Sequence, residues 1–89
     1  MREIVETSKF RSDLKRISKS GRCEIDDLLF VIHKLSNDIP LPFRFHDHAL
    51  SSNWSNFREC HIKPDWLLIY KLEPEILRLV RTGSHNDLF

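Results

Sequence analysis

The chain has 89 residues, 40% of them hydrophobic, which is enough apolar material for one modest core and predicts a single domain over residues 1–89. Its net charge of +1 conceals a gradient: residues 1–22 hold seven Lys/Arg against three Asp/Glu, residues 23–47 two against five, and residues 48–89 five against five, so an anionic partner is suggested at one end only. No segment resembles a signal peptide or approaches the ~18 apolar residues of a membrane span, and two cysteines without C-x-x-C spacing make a disulfide framework improbable; the expectation is a soluble, cytoplasmic protein. In chain order, residues 2–6 alternate around Ile4 and Val5 as a short first strand, and Thr7 or Ser8 offers a helix N-cap. Phe10, Leu14 and Ile17 at helical spacing, with Gly21 placed to end the run, predict a helix over 8–20. Its other side carries Arg11, Lys15, Lys19 and Arg22 as a basic stripe.

A second helix is predicted from Ile25, Leu28, Leu29, Ile32 and Leu35, with Glu24, Asp26 and Asp27 loading its first turn against the helix dipole. His33 lies off that apolar stripe, and the segment 37–42 ends the helix with two prolines. Residues 57–62, 66–72 and 76–82 are strand-length runs separated by Lys63-Pro64-Asp65 and Glu73-Pro74-Glu75, which predicts an antiparallel meander. The two middle runs are apolar on both faces over much of their length. Helices should therefore cover at least part of the sheet, giving a two-layer α+β fold.

The polar residues of interest are His46, Asp47, His48, Glu59, His61, Asp65 and His85. A hairpin would bring His61 and Asp65 to one end of the sheet, and a meander would return His85 to that end. Three readings stay open. A metal site is the minority one, because no H-x-x-x-H or C-x-x-C pair is present and because Cys60 and His61, as strand neighbours, point to opposite faces. The histidines can also be hydrogen-bonded boundary residues. The third reading is acid–base catalysis on RNA, which needs a base for the 2′-hydroxyl, an acid for the leaving 5′-oxygen and a cation for the phosphate. Histidine serves either proton role near neutral pH, Arg58, Lys63 and Arg81 are available cations, and Trp54, Trp66 or Phe89 would stack on unpaired bases. Phe57 and Tyr70 are expected to be structural.

The second half resembles the YafQ family of bacterial type II toxins, within the RelE/ParE superfamily. The family pattern D-H-x-L, a turn and Trp, R-(E/D)-x-H-(I/V)-x-P-D, an L-(I/V)-Y strand and a closing R-x-G-(S/T)-H-x-x-L-F is met by Asp47, His48, Leu50, Trp54, Arg58, Glu59, His61, Pro64, Asp65, Tyr70, Arg81, Gly83, His85, Leu88 and Phe89. The first half matches in layout only. The turn before Trp54 carries Asn53 where relatives often have Gly, and Asn tolerates a left-handed conformation.

The resemblance implies two N-terminal helices packed on a curved, mainly antiparallel sheet, and ribosome-dependent cleavage of messenger RNA in the A site through 2′-hydroxyl attack, with no metal and no cofactor. It implies a catalytic set of His48, His61, Asp65 and His85: His85 as general acid, His61 or Asp65 as base, His48 and Arg81 on the phosphate, and Trp66 and Phe89 positioning the base. Phe89 closes the sequence, which would set a carboxylate beside that site. The implied partners are the 70S ribosome with mRNA and an antitoxin of the DinJ/RelB type, with the stripe Arg11, Lys15, Lys19 and Arg22 expected on ribosomal RNA. Two rivals are a non-catalytic ParE-like module that inhibits DNA gyrase, against which the histidine set argues, and a degenerate toxin kept as an interaction protein.

Overall fold

Strand parity sorts most side chains of the second half. The computed structural model describes residues 1–21 and 23–89. The elements are β1 (Glu3–Glu6), α1 (Ser8–Ser20), α2 (Ile25–Ser36), β2 (His48–Ala49), β3 (Arg58–Lys63), β4 (Trp66–Leu72), β5 (Ile76–Gly83) and α3 (His85–Leu88), with 3-10 turns at Phe43–Phe45 and Ser52–Trp54. The sheet runs β1-β5-β4-β3-β2; β1 is parallel to β5 and every other pair is antiparallel. This is the expected α+β arrangement. The register shifts between His61 and Lys63 and again between Ile69 and Tyr70, and such irregularities bend the strands that carry them.

Helix α1 starts and stops where its sequence says. The Thr7 hydroxyl accepts from the Phe10 N–H at 3.0 Å, and Gly21 closes the helix at φ 71°. Phe10 and Ile17 are buried, but so is Asp13, on the same face. In α2 the buried stripe is Leu28, Val31, Ile32 and Leu35, which corrects the expected one: Ile25 and Leu29 are 39% and 54% exposed. Both stripes have helical spacing, and the choice between them rests on which residues the sheet meets.

Strand β4 is apolar on both faces because two different layers cover it. Trp66, Leu68 and Tyr70 pack with α1, α2, Cys60 and Ile62 in the larger core. Leu67 and Ile69 lie on the opposite face beneath Leu88 of α3, with Leu50, Trp54, Phe57 and Val80 around them. The second cover thus comes from a short C-terminal helix and the loop after β2, elements that periodicity did not announce. In that loop the left-handed residues are Ser52 and Asn56, so the tolerance argued for Asn53 is exercised by its neighbours. No helix among the described residues is long and apolar enough to cross a membrane.

Candidate active site

The register places the histidines of β2 and β3 on the face that α1 and α2 do not cover. His48 pairs with Glu59, and His61 is the next residue of the same parity on β3. Glu59 is buried at 6% exposure, and its Oε1 lies 3.5 Å from His48 Nε2 and 3.6 Å from His61 Nε2. His48 Nδ1 lies 2.6 Å from the His46 carbonyl oxygen; a carbonyl only accepts, so Nδ1 carries the proton and Nε2 turns to Glu59. The His61 ring sits 5.6 Å from that of His46 and 6.4 Å from that of His48.

His85 reaches this region through the sheet. His61 pairs with Leu67, and Leu67 with Gly83, so His61 and Gly83 are two strand spacings apart, about 10 Å. His85 opens α3 two residues later. A capping box holds that helix: the Asp87 N–H donates to Ser84 Oγ at 3.2 Å, and the Ser84 N–H donates to Asp87 Oδ2 at 3.1 Å. Those contacts with Ser84, its backbone N–H foremost, hold the Asp87 carboxyl below its ordinary value. Gly83 has φ 155°, and a Cβ there would meet Asp87 at 3.1 Å and Arg16 at 3.2 Å, so both backbone and space call for glycine. Phe89 is 52% exposed, with its ring 5.1 Å from that of His85 and 6.0 Å from that of Trp54.

Behind this end lies a charge network absent from the sequence reading. Buried Asp13 accepts from Arg81 Nε at 2.6 Å, Arg81 Nη2 at 3.2 Å and the Thr82 N–H at 3.2 Å. Arg16 approaches both Asp13, at 3.3 Å, and Asp87, at 3.4 Å. Burial by itself would raise the Asp13 carboxyl, but the bonds from Arg81 and Thr82 and the charges of Arg81 and Arg16 outweigh it and hold the group below its ordinary value. Arg81, expected on phosphate, therefore commits two of its N–H donors to the protein.

The expected residues divide between two cavities. Asp65 lines a small one with Arg16, Cys23, Trp66 and with Gly83, Ser84 and Asp87 on either side of His85, whereas His61 lines another with His46 and Lys63. Trp66 is a correction: it is 2% exposed and its indole N–H donates to Thr82 Oγ1 at 2.8 Å, because even-numbered residues of β4 face the helices, so no ring face is open to a base. Cys60 faces the same core, where burial, with Asp47 and Glu59 nearby, pushes its thiol well up. Arg11, Lys15 and Lys19 are exposed on α1, as the stripe requires, and Arg22 lies outside the described residues. Glu59 is the residue that sequence reasoning left without a role. Its signal was parity, since Glu59 and His61 are two apart on one strand.

Asp47, Arg58 and Tyr70 occupy the other face. Asp47 accepts a short hydrogen bond from the Tyr70 hydroxyl and another from Arg58 Nε at 3.3 Å. The Tyr70 hydroxyl shift is upward, from burial first and then from the bond to Asp47. These contacts tie the chain before β2 to β3 and β4, and thereby fix the backbone from which His48 projects.

Comparison with known proteins gives one consistent result. Residues 2–89 match the family model described as bacterial toxin of type II toxin-antitoxin system, YafQ. The chain is 39% identical over 89 residues to the mRNA interferase toxin YafQ of Escherichia coli (strain B / BL21-DE3), covering 99% of this chain and 96% of that one. Its fold superposes on the crystal structure of a metal-bound toxin from Helicobacter pylori with TM-score 0.93 at 41% identity, covering 100% of both chains. It superposes on the toxin of the E. coli DinJ-YafQ complex with TM-score 0.87 at 38% identity, covering 100% of this chain and 99% of that one.

Proposed function

The chain belongs to the YafQ family of type II toxin-antitoxin toxins, and on that footing we propose that residues 1–89 act as one mRNA-cleaving domain whose work is done at the ribosomal A site. The observation that carries the reading is the convergence of His48, Glu59 and His61 on the sheet face toward which β5 returns His85 and Phe89. In the reaction, His61 takes the proton of the 2′-hydroxyl while Glu59, 3.6 Å away, orients the imidazole and offsets its charge. Glu59 is in this scheme a positioning residue. Attack on the adjacent phosphorus forms a 2′,3′-cyclic phosphate, and His85 protonates the departing 5′-oxygen. His48 and Arg81 bear on the phosphate oxygens, and Phe89 supplies a stacking face for an unpaired base. Asp65, in its separate cavity, is the weaker choice of base.

The H. pylori relative is solved metal-bound. Among the described residues of this chain no group of three or more His, Cys, Asp or Glu side chains is arranged to hold a metal ion, and the steps above are assigned to side chains alone. The E. coli relative is solved with DinJ, which supports an antitoxin of the DinJ type as the partner of this chain. The exposed Arg11, Lys15 and Lys19 suit contact with ribosomal RNA.

Cleavage of a defined mRNA, with and without programmed ribosomes, tests the reading. Ribosome-dependent products ending in cyclic phosphate, lost in His85→Ala, are expected. A folded protein that cleaves nothing under either condition would move the assignment to a binding module.

A further inference from the structure

Beside the histidines, and on the far side of His61 from β4, a cavity of about 730 Å³ opens between the first turn of α2, the 3-10 turn Phe43–Phe45 and the end of β3. It shares His61 with the proposed catalytic face. Its floor is aromatic: Phe30, itself 42% exposed, stacks on Phe45 with ring centroids 5.9 Å apart. Outside the lining residues stands Phe43, 91% exposed, whose ring is 5.8 Å from that of the lining His46, which in turn is 5.6 Å from that of His61. A line of rings therefore runs from solvent to the proposed centre.

The cavity carries charges of both signs on opposite sides. Arg44, in the 3-10 turn, is exposed, its guanidinium 4.7 Å from the Phe45 ring centroid. On the α2 side Lys63 reaches across to Asp27 at 3.3 Å, and the exposed Asp26 lines the cavity beside it. The carboxylates of α2 repel a phosphate and accept from the N–H edge of a base, whereas the Arg44 guanidinium attracts a phosphate. An aromatic floor between an acidic side and a basic one suits one unpaired nucleotide, base toward α2 and phosphate toward Arg44.

We propose that this cavity is a nucleotide subsite, in which a nucleotide flanking the scissile phosphate packs against Phe43 beside His46, seats its base toward Phe30 and Asp26, and gives its phosphate to Arg44. The subsite deepens the RNA-cleaving reading and rests on it for its biological use, but the binding it asserts is separable from the chemistry. Phe43 is so exposed that its removal disturbs little packing. Its preferred occupant is a base with an exocyclic amino group, because such a base donates to the acidic side.

The test uses the full chain and a short, unstructured, 2′-O-methylated oligonucleotide that cannot be cleaved. Its affinity is measured by fluorescence anisotropy for the wild type, Phe43→Ala, Phe43→Trp and Asp26→Asn. Loss of one base-stacking contact is expected to weaken binding on the order of tenfold in Phe43→Ala, and Phe43→Trp should restore it. Asp26→Asn should narrow the preference for adenine- and cytosine-rich over uracil-rich oligonucleotides. Equal affinity for wild type and Phe43→Ala overturns the subsite, as does a wild type that binds no oligonucleotide. Unchanged RNA affinity in Phe43→Ala together with weakened antitoxin binding assigns Phe43 to a protein contact instead, and also overturns it. A wild type that binds with these sensitivities but cleaves no mRNA leaves the subsite standing and sinks the catalytic reading.

Discussion

Asp47, Arg58 and Tyr70 on one face of the sheet, and His48 and Glu59 on the other, are chain neighbours or cross-strand partners, and all are polar or aromatic matches to one family pattern. Their fates differ because consecutive strand residues point to opposite faces. The first set, turned toward the helices, is knitted into hydrogen bonds between Asp47, Tyr70 and Arg58 and holds the loop before β2. The second set is turned toward the open face, where His48 and His61 are 48% and 30% exposed in their side chains around a buried carboxylate. A motif match in a strand therefore carries two kinds of residue, one that builds the platform and one that uses it. Substitutions can pull them apart.

The largest effect should come from the open face. His85→Ala is expected to lower ribosome-dependent cleavage about 1,000-fold, within the usual range for losing a general acid, while the thermal unfolding midpoint stays put because His85 is exposed. A lowered midpoint would mean that α3 depends on the imidazole for its fold. Two smaller changes sharpen the contrast. Tyr70→Phe removes the hydroxyl that donates to Asp47 and should cost about 2 kcal/mol in denaturant unfolding, as expected for a hydrogen bond to a charged group. Cleavage per folded molecule should survive it. Glu59→Gln should do the reverse, lowering kcat roughly thirtyfold with KM nearly constant, as for a group that orients a base. If Glu59→Gln unfolded the protein instead, the two faces would not be functionally distinct.

Asp13→Asn probes a link between the two faces, since Asp13 anchors Arg81 and, through Arg16, the cap of α3. A carboxyl whose folded pKa is depressed contributes stability that is present above its unfolded value, near 3.8, and is lost as pH falls through the lower folded value. The variant should therefore be less stable than wild type by about 1.5 kcal/mol at neutral pH, allowing for the partial exposure of Arg81. That difference should close in acid below pH 3.8; one that persisted there would trace to packing. The smallest effect belongs to α1: Lys15→Glu with Lys19→Glu should shallow the salt dependence of ribosome binding by about 1.5 in log–log slope, with catalysis after binding unchanged. An unaltered slope would remove the stripe from the RNA contact.

Much of the fold was legible in the residues themselves. Thr7 and Gly21 bound α1 as their chemistry predicts, the runs at 66–72 and 76–82 became β4 and β5 nearly to the residue, and Lys63-Pro64-Asp65 turned the chain between strands. The face of α2 was misjudged because Leu29 and Val31 are both apolar and periodicity alone accepts either. The burial of Asp13 was invisible because its partner, Arg81, is 68 residues away. Trp66 was expected at the site because it adjoins Asp65 in sequence, yet its side chain enters the helix-facing core.

The sequence by itself determined where α1, β4 and β5 begin and end, which runs alternate, and, through the order of Asp, His, Arg and Gly in its second half, the family to which the chain belongs. Those are local properties, set by caps, turns and spacing within a few residues. Only the tertiary structure decided which side of each strand is open and that Glu59 lies between His48 and His61. Those outcomes depend on strand order and register, which couple residues far apart in the chain, and a shift of one residue in that register would have exchanged the two faces.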